Sequence, residues 1–248
     1  MTRVRVTVLA VLAIGLSGCH APAASAPVTA SSPSLPPAPP PQSPSRSPSP
    51  SPSPSPTAAP AFAGTVTPAT AADVPHTWHP GCPVGPDHLS VLRMSFWGFD
   101  NRPHTGTMVV NSLVTHDVVT VFATLYRERF PIRRMRPEDA YGGSDPDSMA
   151  DDNTSGFNCR YAVASGPAHW SVHAYGEAID VNTVENPYLF GLQVLPPAGR
   201  AYLDRSVYRP GMAVRGGLLV KAFAAVGWTW GGTAFSSPDY QHFSRTGG

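Results

Sequence analysis

The chain has 248 residues and a formal net charge of +1, with 17 basic against 16 acidic side chains. That balance indicates no polyanion partner, so no nucleic-acid partner is expected. Thirty prolines and only three cysteines mark a chain whose composition changes along its length, and Lys221 is the only lysine.

The N-terminus reads as an export signal over 1–19. Arg3 and Arg5 form a short positive region at the head of an apolar run, Val4 to Leu16. That run is too short to span a bilayer and right for a signal core. It ends in Leu16-Ser17-Gly18-Cys19, which resembles a lipobox. Cys19 is therefore the expected lipidation site, anchoring the protein to the outer face of a bacterial cell membrane. Residues 20–75 contain Pro36-Pro37-Ala38-Pro39-Pro40-Pro41 and alternating Ser-Pro from Ser47 to Pro56. Proline fixes φ and removes donors, so this stretch reads as a disordered tether. About 50 residues at roughly 3 Å each would reach on the order of 150 Å.

The remaining residues, 76–248, suffice for one domain with its own core. Gly106 to Asn111 reads as a strand. Asp117 to Arg129 carries Val118, Phe122, Leu125 and Tyr126 at helical spacing, and Pro131 stops it. Arg136 to Asn158 is rich in Gly, Asp and Ser and reads as a long surface loop. Arg160 to Ala164 and Ala178 to Val181 read as strands. Tyr188 to Arg209 stays ambiguous, broken by Pro196-Pro197. Leu218 to Val226 reads as a second helix with Gly227 beyond its end, and Trp228 to Trp230 starts a last strand. These elements predict a small α+β domain with an antiparallel sheet flanked by helices. Once Cys19 is assigned to lipid, Cys82 and Cys159 remain as an even pair in an oxidising setting, which predicts a disulfide.

Two glycine-rich segments carry the chemistry. The first is Ser171-Val172-His173-Ala174-Tyr175-Gly176-Glu177-Ala178-Ile179-Asp180. The second is Gly227-Trp228-Thr229-Trp230-Gly231-Gly232, followed by Asp239-Tyr240-Gln241-His242-Phe243. An open catalytic zinc site needs three protein ligands and a nearby base. His173, Asp180 and His242 are the candidate metal ligands, and Asp239 the candidate base. His173 and Asp180 stand seven apart, which fits a turn followed by a strand with Gly176 between. Single histidines are more often structural, and the other seven have no ligand spacing. Trp228 and Trp230 read as core and cleft wall. Glu177 is left out of catalysis.

The patterns S-x-H-x-x-G-x-A-x-D, G-W-x-W-G-G and D-x-x-H-F resemble the zinc D-alanyl-D-alanine carboxypeptidase superfamily. It includes VanY-type carboxypeptidases and L-alanyl-D-glutamate endopeptidases. The resemblance covers Asn153 to Phe243 strongly and the stretch from Cys82 weakly. It implies a Hedgehog/D-Ala-D-Ala peptidase-like zinc domain, Zn2+ as cofactor, and His173, Asp180 and His242 as its ligands. It also implies Asp239 as base and Arg160 as oxyanion donor, although two residues intervene between Ser155-Gly156-Phe157 and that arginine. Ser171 either touches substrate or caps the turn. The implied activity is hydrolysis of peptidoglycan stem peptides by a monomer. The segments Arg136–Asn158 and Asn186–Arg215 are expected to set which bond is cut. The competing expectation is an inactive, zinc-binding lipoprotein of the cell wall.

Overall fold

The computed structural model describes residues 60–247. The signal, Cys19 and most of the tether lie outside the described residues. The described part is α+β, built from small antiparallel sheets and a few helices.

A three-stranded meander opens it: β1 (Gly64–Pro68), β2 (Leu89–Trp97) and β3 (Pro103–Asn111), with β2 central. The β2–β3 hairpin is in register from Leu89 opposite Asn111 to Trp97 opposite Pro103. Successive side chains alternate across a strand. Leu92, Met94, Phe96, Met108 and Val110 therefore join the main core, while Leu89 and Val109 join a smaller cluster on the other face. α1 (Thr115–Arg127) closes the main face with Val118, Val121, Phe122 and Leu125. Its predicted stripe is confirmed. Arg129, in the left-handed region at φ 54°, and then Pro131 end it. Asp117 lies in the helix's first turn and accepts a hydrogen bond from Trp228 Nε1 at 3.2 Å.

The second sheet has the order β4 (Ala178–Asp180), β8 (His242–Ser244), β7 (Thr229–Trp230). Ile179 faces Phe243 and Asp180 faces His242 across the β4–β8 pair. Ile179 and Phe243 point into the main core. α3 (Leu218–Ala224) adds Leu219, Ala222 and Phe223, whose ring stacks on Phe243 at 4.1 Å between centroids. Trp228 and Trp230 are buried in the same core, and neither lines the cleft. A two-stranded hairpin, β5 (Tyr188–Phe190) with β6 (Gln193–Leu195), resolves part of the ambiguous stretch. It is tied to the second sheet's connection by Leu189 N–H to Pro238 O and Tyr240 N–H to Pro187 O, at 2.9 and 3.3 Å. α4 (Gly231–Ala234) is a single turn.

Three readings of the sequence need correction. The ordered part begins before residue 76, because β1 pairs with β2 along Gly64–Pro68. Its exposed, small and polar residues give no apolar alternation, so only the partner strand reveals it. The stretch Arg136–Asn158 is not a surface loop. It contains the short helix α2 (Asp145–Ala150), and residues 152–158 are buried. Its polar groups are inward because they are paired there: Thr154 N–H to Arg134 O, Phe157 N–H to Val109 O, and Asn153 Nδ2 to Arg136 O. Finally, Arg160 to Ala164 forms no strand. Only Tyr161 bridges to Trp170, and the two rings stack at 4.4 Å.

Candidate active site

His173 comes from a 3-10 turn over Val172–Tyr175. Ser171 caps that turn, its Oγ accepting from His173 N–H at 3.3 Å, and it also lines the cleft. Gly176 ends the turn at φ 69°, where an added Cβ would lie 2.6 Å from Asn111 N. Glycine is required there both by conformation and by space. The chain then enters β4, which carries Asp180. His242 sits directly opposite on β8. The pleat that sends Ile179 and Phe243 inward sends Asp180 and His242 to the other face.

The three side chains converge. His173 Nε2 lies 3.1 Å from His242 Nδ1, and each of these nitrogens lies 3.3 Å from Asp180 Oδ1. All three residues are buried. His173 Nδ1 is 2.7 Å from the carbonyl oxygen of Gly156, an acceptor only, so Nδ1 carries the proton and Nε2 presents its lone pair to the centre. Asp180 Oδ1 is buried without a hydrogen-bond partner. A tetrahedral ion about 2.0 Å from each donor would separate the donors by about 3.3 Å. The near-equilateral triangle fits that requirement, and the donor chemistry suits a borderline-soft divalent cation. Among the described residues, His79, Cys82 and Cys159 form another close group of such donors. There, however, Cys82 and Cys159 are joined as the expected disulfide.

The charges reinforce the site. Burial alone would raise the Asp180 carboxyl, but His173 and His242 outweigh it and hold it well below the usual carboxylate range. Burial would lower His173, and Asp180 overrides this and raises it. Asp239 stands before β8. Burial first, then the Asp180 charge, push its carboxyl up to about 7. Asp239 Oδ1 has no hydrogen-bond partner. Its backbone is fixed by the bridge to Tyr188 and by its N–H to Gly231 O at 3.3 Å. A side chain at Gly231 would meet Asp239 O at 2.9 Å, which explains a glycine in the G-W-x-W-G-G segment.

These groups line one cleft of about 220 Å3. It contains His173, Asp180, His242, Asp239, Arg160 and Ser171, so the ligand, base, oxyanion and substrate residues expected from sequence meet there, while Trp228 and Trp230, expected in part as cleft wall, do not. The walls include Met149, Trp170, Tyr188 and Phe235. Arg160 follows the disulfide-bonded Cys159, and its Nε lies 2.9 Å from Asp145 Oδ1. That contact is an ion pair whose angle falls short of a hydrogen bond. Burial would lower the Arg160 guanidinium, but Asp145, Asp180 and Glu138 keep it raised and cationic. Glu177 pairs with Arg245 at 3.7 Å, away from the centre.

Sequence reasoning missed Asp145, Gly156 and Gln241. Asp145 lies in the stretch read as a surface loop. Gly156 acts through its carbonyl, and an added Cβ would lie 2.5 Å from Val109 O. Gln241 is buried beside His242 and lines the cleft. The Ser144-Asp145-Pro146 start of a helix was the available signal for α2.

Residues 165–245 match the family model described as D-alanyl-D-alanine carboxypeptidase. The matched span contains His173, Asp180, Asp239 and His242, and excludes Arg160 and both bonded cysteines. No curated protein and no solved structure gives a significant match. The match supports a peptidase and agrees with the superfamily that the segment's motifs resemble.

Proposed function

We propose that this chain is a zinc-dependent peptidase of the D,D-carboxypeptidase superfamily that hydrolyses peptidoglycan stem peptides at the bacterial cell surface. One observation carries the reading: the His173–Asp180–His242 triangle shares a cleft with the buried carboxyl of Asp239. Two imidazoles and one carboxylate, with a position left open, are the ligand set of a catalytic rather than a structural zinc. Such an ion, when bound, supplies Lewis acidity and makes water a nucleophile near neutral pH.

The chain's own groups do the rest. Asp239 takes a proton from the attacking water and delivers it to the leaving amine. A carboxyl held near 7 can do both at neutral pH. Arg160 donates to the carbonyl oxygen as it gains charge. Gly156 O keeps His173 in the tautomer that offers Nε2. The apolar walls thin out water around the reacting groups. The domain is read as a monomer of the Hedgehog/D-Ala-D-Ala peptidase-like type. It is held to the outer face of the membrane by lipid on Cys19 and carried toward its substrate by the Pro/Ser-rich tether.

The test uses the zinc-loaded protein with peptidoglycan and defined stem peptides, with products read by mass spectrometry and metal by elemental analysis. His173→Ala and His242→Ala are expected to lose both metal and activity. Asp239→Ala is expected to keep one zinc per chain and to lose at least about a hundredfold in kcat. Full turnover by Asp239→Ala would remove it as the base. One zinc per chain with no cleavage of any wall peptide would instead favour the alternative, an inactive, zinc-binding lipoprotein of the cell wall.

A further inference from the structure

The residue least accounted for in the cleft is Asp145. It is the first residue of α2, whose start is fixed by Ser144: the Ser144 Oγ accepts from Asp147 N–H at 3.4 Å. The Asp145 side chain is only 13 % exposed and lines the cleft. Its carboxylate meets Arg160 Nε at 2.9 Å. Arg160 is itself held in place from both directions. Cys159 is bonded to Cys82, and Ser171 N–H donates to Arg160 O at 3.0 Å. On the guanidinium's other side, Nη1 donates to Tyr161 O at 3.4 Å.

A guanidinium binds a carboxylate strongly through two parallel N–H groups, along either the Nε edge or the edge joining its two terminal nitrogens. In this cleft the Asp145 carboxylate stands 2.9 Å from Nε, a charge contact without a hydrogen bond, and the Tyr161 carbonyl accepts from Nη1. The Asp145 charge offsets that of the guanidinium, which leaves donors better suited to a neutral oxygen, such as a peptide carbonyl, than to an anion. A second carboxylate would also have to approach Asp145 in a cleft that already contains Asp180 and Asp239 and has apolar walls. Like charges brought together there repel strongly. Among the described residues lining the cleft, His169 is the remaining non-ligand side chain able to carry positive charge. It is exposed, with its Nδ1 turned to Pro167 O at 3.1 Å.

Resting on the peptidase reading above, we infer that Asp145 is a specificity-determining residue: by offsetting the charge of Arg160 it disfavours a free substrate carboxylate beside the scissile carbonyl and selects peptides that carry a neutral group in that place. The favoured substrate class is a peptide whose chain continues past the residue that follows the scissile bond, or whose terminal carboxylate is masked. Asp145 acts through Arg160 and takes no proton from the substrate.

The experiment uses the full-length, zinc-loaded protein and two stem peptides that differ only at the C-terminus. One ends in a free D-alanine carboxylate and the other in D-alanine carboxamide. They compete in one reaction, with products read by mass spectrometry and separate kcat and KM values measured for each. The wild type is expected to process the carboxamide with kcat/KM at least equal to that of the carboxylate. Asp145→Asn is expected to shift the ratio toward the carboxylate by about tenfold, mostly through a lower KM for that peptide. Asp145→Glu should keep the wild-type ratio, as should Asp147→Asn on the exposed side of the same helix. A wild-type preference of tenfold or more for the free carboxylate overturns the inference, even if Asp145→Asn fails to fold. An unchanged ratio in a folded Asp145→Asn protein overturns it as well. Cleavage of neither peptide and of no peptidoglycan overturns the peptidase reading itself, a distinct result.

Discussion

Two buried residues with no direct part in the chemistry have measurable consequences. Gly156 lies so close to β3 that a methyl group would sit 2.5 Å from Val109 O and 2.9 Å from a Val110 methyl carbon. Gly156→Ala must therefore move the carbonyl that orients His173. The expected outcome is a loss of about 1–3 kcal/mol in stability and about tenfold in zinc affinity. A competitive chelator titration beside a denaturant melt would separate the two effects. An unchanged affinity would show that the carbonyl does not tune the ligand. Glu138 is the second case. It is 3 % exposed, accepts from Ser148 Oγ at 2.8 Å, and is pushed up to about 8, chiefly by burial. Its folded value exceeds its unfolded one, so between about pH 4.5 and 8 the native state binds the extra proton. Stability from this group is thus greatest in acid and falls as pH rises through that window. Glu138→Gln retains an acceptor for Ser148 and removes the titration. Its melting temperature should exceed the wild type's by several degrees at pH 8 and match it near pH 4.5. Equal pH slopes in the two proteins would rule out a neutral Glu138.

Among the elements, β1 has the least sequence signal and a clear structural role. Its five residues, all exposed, cover the edge of β2 from Gly64 opposite Met94 to Pro68 opposite Ser90. Without it, β2 would expose a row of unpaired backbone groups. A protein beginning at residue 76 is expected to melt at lower denaturant concentration than one beginning at Pro60, and to aggregate more readily on warming. Matching midpoints and light scattering would show that the strand is dispensable. α2 makes a similar point from inside the molecule. Six residues cannot sustain a helix alone. Yet α2 places Asp145 and Met149 in the cleft and Ser148 against Glu138.

Across the molecule, what could be read in the sequence follows from how local each signal is. The stripe of α1 and the apolar face of α3 were legible because helical contacts recur every three or four residues. The site was legible because its residues fall in two short segments with glycines at fixed places, and His173, Asp180, Asp239 and His242 all meet in the cleft. The burial of 152–158 was not legible. Asp152, Asn153, Thr154 and Ser155 look like loop residues, and only partners far along the chain make them interior. Asp145 was hidden for the same reason, since its importance comes from an arginine in another segment.

The pairing of β4 with β8 would give a metal bound as proposed a second meaning. Strands three residues long specify their alignment weakly by themselves. A slip of one position would turn Ile179 and Phe243 out of the core. A slip of two would restore the faces but carry Asp180 and His242 about 7 Å apart along the strands. Only the observed alignment offers all three donors to one ion. On the zinc reading proposed above, occupancy by metal would therefore act as a proofreader: the fraction of molecules holding it would count those whose last strand has docked in the right place.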